Sequence, residues 1–329
     1  MKASQNISNT QRHARYILQS LPYISFKYLF RETSFITNIT IASLIALSYI
    51  VYLFPLSFLG GHSGLFERLE PSTSLSGWWA FKNGIWRFPL LKIPTLNIPE
   101  GANLAFTNSL PLLAILFKPF NYWLSKDFHY FGIWFLISYI AQAIGATLAM
   151  RALGQRTLLA TIASAMMGLM MPVFLWQTDN IPLISQAYLL LGLALYFSGY
   201  SHAQSFKETA NSFTLVLALA FLTHPYLFLM TSVFYLAFVG EYWLQSNKHH
   251  QNCLTTLLTT SLIIISIGIL GGYFSQIWRF KGYGLYSMNL LAPFSGGRFG
   301  QSLTYAVVGQ SGGFNYLGMG VFLSLATSL

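Results

Sequence analysis

Residues 36–59 read ITNITIASLIALSYIVYLFPLSFL, and the chain carries no formal charge between Glu32 and Glu67. The hydrocarbon core of a bilayer takes about 20 apolar residues of helix, so this run is long enough to cross one. It is too long for the core of a cleavable signal peptide and reads as an anchor. The residues ahead of it are polar and basic, with Lys2, Arg12, Arg15, Lys27 and Arg31 against Glu32 alone.

The same oiliness continues outward from this run. The chain has 329 residues, of which 54% are hydrophobic and 8% charged. A soluble domain carries about 25% charged residues, and a soluble fold so poor in charge could not cover its own surface. The fold class is therefore all-α: a polytopic integral membrane protein with about eight transmembrane helices. Further apolar runs lie at 128–150, 158–176, 182–199 and 254–274. The uncharged run 209–240 is too long for one span. His224-Pro225 divides it, because proline lacks a backbone donor, giving one helix up to 223 and a second over 226–243. The run GMGVFLSLATSL at 318–329 is expected to be a span cut short, so the chain is expected to be incomplete at its C-terminus.

Lysine and arginine at span ends set orientation. Five bases precede the first span, Arg151 and Arg156 follow the second, and Lys207 and Lys248 flank later ones. These fall on one side if 209–243 crosses twice. The reading is a cytoplasmic N-terminus over 1–35 and a multi-pass transmembrane domain over 36–329, which in a Gram-negative cell would sit in the inner membrane. Two long loops, 59–127 and 275–312, then lie outside. The net charge of +10 is accounted for by flanking bases facing lipid headgroups. With no basic stripe and no binding motif, nucleic acid is excluded as a partner. A single cysteine, Cys253, makes neither an internal disulfide nor a metal site.

Structural connectors are a few residues long, so the first outer loop asks for a purpose. It holds Glu67, Glu70, Glu100 and Asp127, four of the eight acids in the chain. Trp78, Trp79, Lys82, Trp86 and Arg87 follow at close spacing, and residues 106–124 read as a helix lying on or dipping into the membrane interface. A carboxylate just beyond a span end can act as a base or hold a divalent cation beside a lipid headgroup, and the sequence does not choose between the two. The second loop carries Arg279, Lys281 and Arg298 among many glycines, a composition suited to phosphate. His224, at a break between apolar segments, is a further candidate for substrate binding. There is no P-loop, HExxH, GxSxG or Cys/His pair. The spans are almost free of ionisable groups, which argues against an ion-driven carrier.

A cytoplasmic basic N-terminus, one span, a long outer loop opening with carboxylates, a juxtamembrane helix and then paired spans resemble the GT-C glycosyltransferases. The stretches LEPSTSLSGWWAFKNGIWRFPL (69–90), IPEGANLAFTNSLPLLAILFKPF (98–120), HYFGIWFLISYIAQAIGATLAMRAL (129–153), GYGLYSMNLLAPF (282–294) and GFNYLGMG (313–320) resemble, more narrowly, an uncharacterised bacterial family of polytopic membrane proteins of that type. The resemblance implies a polyprenyl-phosphate-linked sugar as donor and a cell-envelope glycan or lipid as acceptor. It implies Glu70, with Glu67 second, as the base or metal-holding acid, although Glu70 stands where an aspartate is expected. It further implies that Arg279, Lys281 or Arg298 neutralises the departing phosphate, helped by Lys82 and Arg87, and that Trp78 or Trp79 stacks on a sugar. Two readings compete with it: a non-catalytic protein that binds or flips polyprenyl-linked lipids, and a secondary transporter, which would need paired broken helices near the midplane.

Overall fold

In a computed structural model the described residues are 29–62, 72–170, 180–200, 205–245, 250–275 and 326. The first apolar run forms α1 (Phe35–Leu53), opened by Ser34, whose hydroxyl accepts from the Thr37 amide at 3.1 Å. It does not run unbroken to residue 59. Pro55 has no N–H to extend the ladder and pushes Phe54 into an extended conformation, so the chain bends and restarts as the single turn α2 (Leu56–Leu59).

The other apolar runs follow the expected order with shifted ends. They form α5 (Phe131–Ala152), α6 (Leu158–Leu169), a 3-10 turn (Ile181–Ile184) leading into α7 (Ala187–Tyr200), α8 (Phe206–Thr223), α9 (Pro225–Gln245) and α10 (His250–Gly271). The break at His224-Pro225 falls where proline chemistry puts it: α8 ends at Thr223, His224 is extended, and Pro225 opens α9. A capping box between Ser205 and Glu208 starts α8. Of the span read over 158–176, the described residues give α6 up to Leu169, and residues 171–179 lie outside the described set.

Five of these segments are long and apolar enough to cross a membrane: Phe35–Leu53, Phe131–Ala152, Ile181–Tyr200, Pro225–Gln245 and His250–Gly271. The protein is thus an all-α protein with membrane-spanning helices. Among the described residues α6 is too short for a span by itself, and α8 begins with the charged pair Lys207 and Glu208. Both nonetheless run alongside the longer helices. At one end of the bundle the Thr33 amide donates to the Arg156 carbonyl at 3.0 Å and Arg151 donates to the Thr33 carbonyl at 3.2 Å, joining the start of α1 to the α5–α6 turn. At the other end Trp134 donates to the Ile181 carbonyl at 3.0 Å, and the Tyr273 hydroxyl to the Phe221 carbonyl at 3.3 Å. Polar pairs also cross the helix seams: Tyr188 with Thr223 at 2.8 Å, Tyr196 with Glu241 at 2.9 Å, and Thr214 with Thr260 at 2.8 Å. With lipid outside and little hydrophobic drive between helices, close packing and such bonds hold a bundle of this kind together.

The segment between α2 and α5 folds into a cap on that second end. It contains α3 (Ser72–Asn83), a small antiparallel hairpin of β1 (Lys92–Ile93) and β2 (Ala102–Asn103), and α4 (Pro111–Phe117). A continuous interfacial helix over 106–124 does not form. Instead a 3-10 turn (Leu104–Phe106) is followed by left-handed Leu110, then seven residues of α4, then a 3-10 turn (Lys118–Phe120). Pro111 starts α4 and Pro119 stops it, since neither can donate to the preceding turn. Nor does α4 simply float at the interface, because Pro111, Leu113 and Ala114 are buried.

Among the described glycines the closest approach is at the start of α5. A Cβ on Gly132 would stand 1.8 Å from the Phe58 carbonyl oxygen, so α2 lies directly against this turn. Gly240, on α9, has nothing within 4 Å of the same position. Gly132→Ala is expected to destabilise the protein by about 1–3 kcal/mol, as overpacking of a tight contact does. Gly240→Ala should leave the thermal midpoint in detergent unchanged, and equal midpoints for both variants would refute the contact.

Candidate functional site in the cap

The cap is built around aromatic side chains. Trp78 is 0% exposed, lies edge-on to Tyr130 with ring centroids 4.7 Å apart, and donates to the Phe128 carbonyl at 2.9 Å. Tyr130 donates to the Ser109 carbonyl, and the Ser109 hydroxyl donates to the Ser74 carbonyl at 2.6 Å. Each large side chain buried in this way contributes about 1.5–3 kcal/mol. Trp78 therefore serves the core. Stacking on a sugar needs an open ring face, and the sequence-based assignment of Trp78 to a substrate is corrected on that ground. Trp79, one residue on, is partly exposed, and among the described residues its buried indole N–H has no hydrogen-bond partner.

Lys82 is 5% exposed, and its ammonium is held by the protein itself. It donates to the Lys126 carbonyl at 2.6 Å and to the Ser125 carbonyl at 3.4 Å, and lies 5.9 Å from the Trp78 ring centroid. Burial lowers its pKa, while the nearby Asp127 charge works in the other direction. Asn121 donates to the Lys82 carbonyl at 3.0 Å, which pins the end of α3 to the turn after α4. Arg87 is exposed.

Two residues of this region, Lys118 and His129, were not singled out as site candidates by the sequence reading, and Trp86 was noted there only among closely spaced aromatic and basic residues. Lys118 is 6% exposed, with its ammonium 3.9 Å from the Phe81 ring centroid and 4.5 Å from that of Trp86. Burial lowers its pKa to about 8. A lone cation inside the apolar run LLAILFKPF was the available signal. Trp86, half of this cage, is 45% exposed. His129 is 0% exposed and sits between Phe58 and Phe131, with ring centroids 6.1 and 5.8 Å away.

The remaining sequence candidates divide cleanly. His224 lies at the α8–α9 turn, where its Nδ1 accepts from the Tyr226 amide at 3.1 Å and its ring meets Tyr226 at 4.9 Å, so its contacts are local. Glu67, Glu70, Arg279, Lys281 and Arg298 lie outside the described residues. Described residues on either side of the Glu67 and Glu70 stretch are held by hydrogen bonds. Before it, the His129 amide donates to the Gly61 carbonyl at 3.2 Å; after it, Ser74 is held by Ser109. Among the described residues no group of three or more His, Cys, Asp and Glu could hold a metal ion. Chemically, the described part of the cap offers buried and exposed cations beside aromatic faces, a surface for anions.

Residues 43–329 match the family DUF6311, a domain of unknown function. The chain belongs to the DUF6311 family. The match spans the cap and the helices alike, so the two are parts of one family domain. No curated protein and no solved structure matches the chain.

Burial lowers the His129 pKa from the usual 6.5 to about 4, a shift that a backbone hydrogen bond to His62 only partly offsets. The unfolded chain takes up this proton near 6.5 and the folded protein only near 4. The unfolded state therefore binds more protons across that window, and stability is lost as pH falls through it. Thermal midpoints measured from pH 7 to pH 4 should decline more steeply in the wild type than in His129→Gln, and parallel declines would remove His129 as the cause.

Proposed function

We propose that this protein is an integral membrane glycosyltransferase of GT-C type, moving a sugar from a polyprenyl-phosphate donor to a cell-envelope glycan or lipid acceptor. The reaction takes place at the outer face of a bacterial inner membrane, with the N-terminus in the cytoplasm and about eight spans in all. One observation carries the reading. In its described residues the chain between α2 and α5 is no slack connector: it folds into a cap fastened to the ends of membrane-length helices, and Gly61 and Ser74, which flank the Glu67 and Glu70 stretch in sequence, are both held by hydrogen bonds. In this reading a carboxylate of that stretch works where a lipid phosphate and a water-soluble acceptor meet.

In this mechanism Glu70, seconded by Glu67, takes the proton of the acceptor hydroxyl as its oxygen bonds to the anomeric carbon. The bond from that carbon to the phosphate oxygen breaks with inversion, and the polyprenyl phosphate leaves with the electron pair. Arg279, Lys281 or Arg298 neutralises the leaving phosphate. Lys82 is committed to the Ser125 and Lys126 carbonyls, so its part is to position the end of α3. Arg87, exposed at the cap surface, is free to meet an anion directly. A divalent cation at the carboxylates would be an alternative to base catalysis by Glu70.

Mass spectrometry of surface glycans and polyprenyl-linked sugars tests the chemistry. Cells lacking the gene should lose one sugar from a glycan, wild type should restore it, and Glu70→Gln should not. Equal rescue by both removes Glu70 from the reaction, and unchanged glycans in every strain turn the assignment to a lipid-binding protein. Orientation is tested separately. Tyr122 is 91% exposed and Gln155 is exposed, whereas Cys253 is 0% exposed and gives no background. An impermeant thiol reagent should label Tyr122→Cys in intact cells and Gln155→Cys only after permeabilisation, and the opposite pattern would invert the topology.

A further inference from the structure

The cap buries two lysines and treats them differently. Lys82 finds two carbonyls and a nearby carboxylate. Lys118 is as deeply buried, yet among the described residues no carbonyl or carboxylate pairs with its ammonium, and only the ring faces of Phe81 and Trp86 meet it. Such faces attract a cation but give it no hydrogen-bond acceptor. Burial of the side chain strips part of the water from the ammonium. An anion would offset that loss, and an ammonium has three N–H donors with which to bind one.

The surroundings say what kind of anion. On the turn directly after Lys118, Phe120, Tyr122 and Trp123 are 50%, 91% and 75% exposed; beside the other wall of the cage, Ile85 and Phe88 are 69% and 68% exposed. Aromatic side chains of this kind gather at the headgroup level of a bilayer. The depth agrees. The Leu90 amide donates to the Leu270 carbonyl at 2.8 Å, which ties the segment bearing Trp86 and Phe88 to the last turn of α10, a helix of membrane-spanning length. Charge agrees as well: over 72–128 the bases Lys82, Arg87, Lys92, Lys118 and Lys126 face only Glu100 and Asp127.

We propose that the cage of Phe81, Trp86 and Lys118 is a lipid site that holds the headgroup phosphate of an anionic bilayer phospholipid, while the exposed aromatic side chains around it sit in the headgroup layer of the same leaflet. The site fastens the cap to the membrane and does not depend on sugar transfer.

Delipidated full-length protein in detergent, titrated with phosphatidylglycerol, phosphatidylcholine or inorganic phosphate and read by native mass spectrometry, tests this. One phosphatidylglycerol should bind more tightly than phosphatidylcholine. Lys118→Gln should weaken it roughly tenfold, as loss of a charge-assisted hydrogen bond does. Lys118→Arg should stay close to wild type, and Lys92→Gln, which removes an exposed charge outside the cage, should too. Trp86→Leu opens one partly exposed wall and should weaken binding about threefold, which keeps the test intact if Lys118→Gln does not fold. Unchanged binding in Lys118→Gln or Trp86→Leu overturns the site. An equal loss in Lys92→Gln would reduce it to diffuse surface attraction, and displacement of the lipid by equimolar inorganic phosphate would make it a site for free phosphate.

Discussion

The side-chain amide of Asn103 is where the two parts of the described structure become one. Its two N–H groups donate to the carbonyls of Gly271 and Gly272, at 2.8 and 3.0 Å, and its oxygen accepts from the Ala105 amide at 2.9 Å. The last carbonyls of a helix have no partner within it, and at the edge of a bilayer an unmet carbonyl is costly. Asn103 meets those at the end of α10 with a side chain delivered by the β-hairpin of the cap. Leu90 adds a backbone bond to the turn just before. The cap's position over the helix ends follows from these bonds, and so does everything proposed for the cap.

The interior of the cap follows a different logic from the helices it covers. The bundle is joined by close backbone approach and by single hydroxyl pairs such as Tyr188 with Thr223. The cap is joined by large rings and by buried cations that need partners. Lys82 answers that need within the protein, and Lys118 leaves it to aromatic faces and to whatever approaches from the membrane. Two lysines of nearly equal burial thus have opposite consequences, one for folding and one for recognition.

The membrane class was legible in the sequence because it rests on composition and run length, properties that lipid enforces on every residue of a span. The split at His224-Pro225 was legible for a local reason, since a proline's missing donor acts within one turn. Pro55 acts by the same rule, but with only four helical residues after it the run looked continuous. The ends of α6 and the fragmentation of 106–124 were harder, because short apolar stretches flanked by prolines read alike whether they form one helix or several turns. Within the site, Arg87 and Lys82 could be named from residue type alone. That Trp78 is core and Lys118 is caged depends on partners distant in the chain, such as Phe128 for the one and Phe81 for the other, and no local pattern reports those. Glu67 and Glu70, to which the proposed chemistry is assigned, are known by sequence alone.

The bond from Asn103 to Gly271 joins residues 168 positions apart. Synthesis runs from the N-terminus, and contacts of long sequence separation close late. The hairpin emerges well before α10 exists to receive it. Until that helix is inserted, the Asn103 amide must be satisfied by water. Docking of the cap is thus a late event in biogenesis, and a ribosome stalled before the end of α10 would leave the cap undocked from that helix end.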